Sequence, residues 1–148
     1  MGLDLTLYCK PKSISYTDYD HHIELAYGRK TWAISDFFTD DCGCEVIQDD
    51  YLYRVTEKDW DYFMYTVTPI FTNKFVIDII ENYNEFEDED EYGITEGIMA
   101  YCLDMMFDGS YYLGPMWEAR AAYSWYQADR KVRIAFEAGA DVFIERSY

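Results

Sequence analysis

Residues 3 to 9, Leu-Asp-Leu-Thr-Leu-Tyr-Cys, alternate apolar and polar without a break, with Leu3, Leu5, Leu7 and Cys9 on one side and Asp4, Thr6 and Tyr8 on the other. A period of two predicts a half-buried β-strand, and Pro11 ends it because it has no N–H to give to a ladder. Alternation returns from His22 to Tyr27, with Ile23, Leu25 and Tyr27 opposite His22, Glu24 and Ala26. A short helix is then expected from Lys30 to about Thr39, with Ala33, Ile34, Phe37 and Phe38 inward. The Asp-Asp-Cys-Gly-Cys turn leads into strand-like residues from Glu45 to Val55, which Asp49-Asp50 breaks into a hairpin.

Beyond this point the period changes. Thr56 with Asp59 has the spacing of a capping box, and Trp60, Phe63, Met64, Val67 and Phe71 recur at helical intervals behind it. Pro69 should kink or end that helix, since it lacks a backbone donor. Val76, Ile79, Ile80 and Tyr83 form the apolar side of a further segment that runs straight into acidic sequence. Thr95 suits the N-cap of a helix carrying Ile98, Met99, Cys102, Met105 and Met106, stopped at Asp108-Gly109. Pro115 suits the first turn of a last, longer helix, with Trp117, Ala121, Trp125, Ala128, Val132 and Phe136 as its stripe. Glu118 near its start and Arg130, Lys131 and Arg133 near its end complement the helix dipole, and Gly139 fits the position just past its C-terminus.

A closing strand in Ala-Asp-Val-Phe-Ile-Glu-Arg-Ser-Tyr completes the order: strands, helices, strand. That order predicts an α+β fold, a small mostly antiparallel sheet with helices packed on one face, in a single domain over residues 1–148. The strand at Leu3 to Cys9 should be internal or paired with Val142 to Ile144, since a lone apolar edge invites aggregation.

Composition decides whether such a chain folds at all. Acidic chains are often disordered, but here 50% of residues are hydrophobic and 20% aromatic, too much apolar area to leave in water. The formal net charge of −17 argues against direct binding to nucleic acid or to an anionic membrane, where affinity comes from Lys and Arg displacing counterions. No stretch of eighteen apolar residues occurs, so no membrane span is expected. The opening Met-Gly-Leu-Asp-Leu-Thr-Leu-Tyr-Cys-Lys lacks a charged region before an apolar core, so no signal peptide is expected. Cys9, Cys42, Cys44 and Cys102 accordingly read as reduced thiols in a cytoplasmic protein.

Few constellations carry chemistry. No phosphate-binding glycine loop, nucleophile elbow or His-Glu-x-x-His pair occurs. Cys42-Gly43-Cys44 with His21 or His22 offers zinc's preferred donor types. Yet a one-residue Cys spacing and adjacent histidines suit a tetrahedral site poorly, and a tight turn with reduced thiols is the competing reading. The Asp and Glu positions lack the regular ligand alternation of a calcium loop. No enzymatic activity and no cofactor are expected; a small metal- or thiol-dependent protein using the His21-His22 and Cys42-Cys44 region is the alternative from another class.

The opening Met-Gly-Leu-Asp-Leu-Thr-Leu-Tyr, together with Glu-Leu-Ala-Tyr-Gly-Arg-Lys-Thr-Trp-Ala-Ile-Ser-Asp-Phe-Phe at residues 24 to 38, resembles small bacteriophage proteins that begin Met-Gly-Leu-Asp and carry a Tyr-x-Arg-Lys segment before an aromatic pair. The resemblance covers about a quarter of the chain and supplies no activity or site residues. It implies a phage or bacterial cytosolic setting.

Charge is unevenly spread. From Phe75 to Ala119 there are twelve Asp or Glu and no Lys or Arg, and seven of the carboxylates fall within residues 81 to 92. Rings at Tyr83, Phe86 and Tyr92 are threaded through them. Ordinary solvated surfaces mix signs, so this belt reads as a surface that places carboxylates where a nucleic acid carries phosphates, with rings able to stack on Arg. The candidate partner-binding residues are Asp78, Glu81, Tyr83, Glu85, Phe86, Glu87, Asp88, Glu89, Asp90, Glu91 and Tyr92. The expected partner is a basic nucleic-acid-binding protein of a bacterial host, such as a restriction or CRISPR effector. An immunity protein or antitoxin against a basic nuclease has the same physics, and a plain solvated loop is the bland alternative.

Overall fold

The N-terminal alternation finds the C-terminal strand. In the computed structural model, which describes residues 3–29, 31–48, 51–82 and 116–148, strand β1 (Asp4–Lys10) runs antiparallel to the C-terminal strand β5 (Asp141–Ser147), with Leu7 opposite Ile144 and Cys9 opposite Val142. Strand β2 (Ile23–Gly28) pairs with the other side of β1, and the hairpin β3 (Val46–Gln48) and β4 (Leu52–Arg54) joins β5 through β4. The result is a five-stranded antiparallel sheet in the order β2-β1-β5-β4-β3. Both central strands thus have two paired edges, as their apolar content demands.

The β2 alternation holds only in part. A register shift between Leu7 and Tyr8 lets Leu25 and Ala26 both be buried, while Ile23 and Tyr27 are exposed. The expected Ile23-Leu25-Tyr27 face is therefore split by a bulge, which rotates one end of the strand relative to the other. Tyr27 donates its hydroxyl to Asp4 at 2.8 Å from the side away from the helices.

Helices cover one face: α1 (Trp32–Asp36) with a wider turn at Phe37–Asp41, α2 (Glu57–Phe71), α3 (Lys74–Asn82), α4 (Met116–Gln127) and α5 (Asp129–Glu137). Ala33, Ile34, Phe37 and Phe38 are all inward as expected. Phe38, Trp60, Phe63 and Trp125 form the centre of the core, with Phe38 lying parallel to Trp60 and Phe63 5.1 Å from Trp60. Such ring pairs contribute roughly 0.5–1.5 kcal/mol each beyond the area they bury. Among the described residues no helix is long and apolar enough to cross a membrane.

Local chemistry sets the helix ends. Thr56 Oγ1 accepts the Asp59 N–H at 3.2 Å while the Asp59 carboxylate accepts the Thr56 N–H at 3.0 Å, the predicted capping box. Pro69 lies inside α2, two residues before its end, with its ring exposed. Thr68 and Thr72 donate their hydroxyls to the carbonyls of Met64 and Thr68, which ties down the turn that the proline weakens. At the other end of the fold, Gly139 has φ +77° and closes α5 with its N–H on Phe136 O and that of Ala140 on Ala135 O. This is the left-handed cap that favours glycine.

The long final helix is in fact two. It breaks at Ala128 (φ −81°, ψ −2°), and α5 restarts at Asp129. Asp129 Oδ1 accepts the indole N–H of buried Trp60 at 2.7 Å and the Arg133 Nε–H at 3.1 Å, contacts from α2 and α5 that fix the new start. The break moves Arg130, Lys131 and Arg133 into the first half of α5, so their expected favourable place at a helix C-terminus is overturned. Glu118 is likewise not a simple dipole partner of its own helix but a buried carboxylate facing α1.

At Gly28, α4 comes close to the sheet. A Cβ there would lie 2.5 Å from Thr31 Cγ2 and 3.0 Å from Ala121 Cβ, so only the missing side chain permits the approach. Among the described residues, the opposite face of the sheet is covered by residues 11–22, which include a 3-10 turn at Tyr19–His21. There Phe143, fully buried, packs against Tyr8, Tyr16 and His22, and buried Lys10 pairs with Asp141 at 3.0 Å under the Tyr16 ring. The expected helix behind Thr95, with Cys102, the Asp49-Asp50 turn and Pro115 lie outside the described residues.

Candidate functional site: an acidic helix edge

Helix α3 follows α2 directly and repeats its logic. Val76 and Ile80, four apart, are buried, while Asp78 and Glu81 are exposed on the far side. Two candidate carboxylates are thus held on one face of a helix anchored by its own apolar stripe. Tyr83, Glu85, Phe86, Glu87, Asp88, Glu89, Asp90, Glu91 and Tyr92 lie outside the described residues.

A tyrosine pair on α4 borders this edge. Tyr123 donates its hydroxyl to Glu81 Oε1 at 3.2 Å, stacks nearly parallel to Tyr126 and, like Tyr126, rests on buried Phe71. Partial burial first, and then the Glu81 carboxylate, push the Tyr123 phenol above its ordinary pKa, so the hydroxyl stays a donor at neutral pH. Phe75, at the start of α3, is 60% exposed, and Tyr65 on α2 is 81% exposed. The arrangement offers outward carboxylates beside accessible rings.

Elsewhere, the histidine and thiol candidates make local contacts. His22 packs between Tyr8, Tyr19 and Phe143 on the loop-covered face, and His21 Nδ1 lies 2.9 Å from Asp18, a bond that raises its pKa. Cys44 belongs to the core on the helix face, where its thiol donates to Asp59 at 3.4 Å. The histidine pair and the thiol pair are therefore on opposite faces of the sheet and do not meet. Gly43 between the thiols has φ +63°, the tight turn that the spacing suggested. Among the described residues no cluster of three or more His, Cys, Asp or Glu could hold a metal.

Among the described residues Glu118 is the most perturbed carboxylate, its pKa pushed up to about 7 by burial, against the lowering effect of the Ala33 and Trp32 N–H groups and with a further rise from Asp36. Its two oxygens accept the Trp32 N–H at 2.9 Å and the Ala33 N–H at 3.4 Å, so it anchors the start of α1. Sequence reasoning missed this role, and the only local signal was an acid beside an apolar stripe.

Sequence reasoning also missed a cleft of about 660 Å³ between the β1–β2 end of the sheet and α5, lined by Ile23, Leu25, Ile134 and Ala135, with Lys12 and Lys131 among its residues. Its signal was slight: Lys131 and Ile134, three apart, share the outer side of α5.

Comparison with known proteins finds no matching family model, no matching curated protein and no matching solved structure.

Proposed function

We propose that this chain is a non-catalytic inhibitor that occupies the nucleic-acid groove of a basic DNA- or RNA-binding protein in the bacterial cytosol. The observation that carries the reading is the charge pattern: twelve carboxylates and no base from Phe75 to Ala119, in a chain of net charge −17. Asp78 and Glu81 supply its first two outward charges, and Tyr123, Tyr126 and Phe75 supply rings beside them. A basic groove gains from such a surface what it gains from phosphates, complementary potential and fast, salt-sensitive association. The phage-like opening points to a host defence protein, a restriction or CRISPR effector, as the target class.

The experiment is affinity capture from bacterial lysate with the full chain, at low and high salt, followed by elution with duplex DNA. A captured nucleic-acid-binding protein that duplex DNA displaces is the expected result. Replacing Glu87, Asp88, Glu89 and Asp90 by Lys should abolish that capture. Equal capture by the charge-reversed chain, with the same salt dependence, overturns the reading.

A further inference from the structure

The cleft beside β2 is chemically unlike the rest of this acidic surface. Its walls are hydrocarbon: Ile23 and Leu25 from the edge strand, Ile134 and Ala135 from α5 and Ala138 just past its end, with buried Cys9 also lining it. Burial raises the Cys9 pKa, so that thiol adds no charge to the cleft. Ile23 and Ile134, 59% and 57% exposed, are apolar side chains left accessible at its lips. A volume of about 660 Å³ is in the range of small-molecule sites, roughly 300–1,000 Å³.

The charges around it favour an anion. Lys12 and Lys131 are both exposed and line the cleft, and neither forms an ion pair among the described residues. Glu24 is the one carboxylate among the lining residues. The ammonium of Lys10 is turned away, bonded to Asp141 on the other side of the sheet. The C-terminus of α5 also abuts the cleft, but its carbonyls at Ala135 and Phe136 are already capped by the Ala140 and Gly139 N–H groups, which weakens its negative end.

We propose that this cleft binds a small amphipathic carboxylate, with its hydrocarbon body between Leu25 and Ala135 and its head group at Lys12 and Lys131. Two cations against one anion set the sign of the head group, and the apolar walls set the body. The proposal stands apart from the acidic edge on α3 and does not depend on it.

The test is amide chemical-shift titration of the full chain with octanoate, 1-octanol and octyltrimethylammonium, each below its aggregation concentration. Octanoate should give saturable shifts confined to the residues around Leu25, Ile134 and Ala140, and should bind more tightly than 1-octanol. Lys12→Gln with Lys131→Gln should weaken octanoate by about tenfold, a few-fold per lysine, and leave 1-octanol unchanged. Ile134→Glu, at an exposed position that folding tolerates, should weaken both by at least about tenfold. Because the chain as a whole repels anions and attracts cations, a diffuse response to octyltrimethylammonium is expected and carries no weight. Octanoate shifts that are absent or spread over the surface, octyltrimethylammonium binding these same residues as tightly, or indifference of octanoate to the lysine substitutions, each overturns the proposal.

Discussion

The backbone N–H of Trp32, first residue of α1, donates to the carboxylate of Glu118 on α4 at 2.9 Å, across 86 residues of sequence. Glu118 is 3% exposed, and burial holds its pKa at about 7 against an ordinary 4.5. The folded state therefore keeps its proton where the unfolded chain has released it. The stability this contributes is fully present below about pH 4.5 and is lost as pH rises to about 7. At ~1.4 kcal/mol per pKa unit, the loss is on the order of 3 kcal/mol.

Glu118→Gln should flatten the stability profile between those limits, leaving the variant as stable as the parent at low pH and more stable above neutrality. Glu118→Ala removes the acceptors instead and should cost roughly 1–3 kcal/mol at acid pH by stranding the Trp32 and Ala33 N–H groups. Urea denaturation of parent and variants from pH 4 to 8 measures both. A parent profile with no downward slope would remove this account of Glu118.

Gly28→Ala should be among the costliest small changes in the sheet. The new methyl would meet Thr31 Cγ2 at 2.5 Å and Ala121 Cβ at 3.0 Å, forcing α4 off β2. Overpacking of this kind costs typically 1–3 kcal/mol. Adding Thr31→Ser removes the nearer atom while keeping the hydroxyl that donates to Gly28 O at 3.3 Å, and should recover part of the loss. Thermal melts of the single and double variants decide it.

Some of this was legible in the chain and some was not, for a physical reason. The partnership of β1 and β5 is read from the alternation of β1, where burial of one face imposes a period of two, and from the apolar run Val142-Phe143-Ile144, which is buried on both faces. The capping box at Thr56 and the left-handed cap at Gly139 are read from single residues, because both are local. The break at Ala128 is not local. Trp125, Ala128 and Val132 keep helical spacing across it, while the Trp60 indole that engages Asp129 comes from 69 residues earlier. The bulge in β2 and the aromatic cover on Phe143 are equally long-range. As for the candidate acidic site, charge composition exposed it, and spacing placed Asp78 and Glu81 opposite Val76 and Ile80.

The two thiols of the Cys42-Gly43-Cys44 turn should differ sharply in reactivity. Cys42 is partly exposed, whereas Cys44 is buried, and its thiolate is strongly disfavoured by the hydrogen bond with Cys42, by burial and by the Asp59 charge. Thiolate, not thiol, is the nucleophile. Brief treatment of the native protein with iodoacetamide should therefore alkylate Cys42 and spare Cys44 and Cys9, with all three labelled in denaturant. Peptide mass spectrometry reads the order. Asp59→Asn should speed labelling at Cys44 by removing one charge, and it should also weaken the cap of α2, a cost of about 1 kcal/mol.

The acidic edge on α3 allows folding and binding to be separated. Glu81 is exposed, and its one described bond, from the Tyr123 hydroxyl at 3.2 Å, is at the surface. Glu81→Lys should therefore shift stability by no more than about 0.5 kcal/mol, the usual range for surface changes. If a basic groove grips this edge, the same substitution should speed dissociation of the captured protein and make capture less sensitive to salt, since one screened contact is gone and one repulsion added. Tyr123→Phe keeps the ring and should bind nearly as the parent, whereas Tyr123→Ala should lose on the order of 1 kcal/mol if the ring is part of the contact. The charge control should be Lys58→Glu with Arg130→Glu, both exposed and both off α3. Arg133 is unsuitable because it pairs with Asp61 and Asp129, and its loss would weaken the fold itself. Release rates of the captured protein, measured from low to high salt for each variant, give the result. A gain from the control pair that mirrors, charge for charge, the loss from Glu81→Lys would mean that net charge alone governs capture, and the edge on α3 would then be an ordinary solvated face.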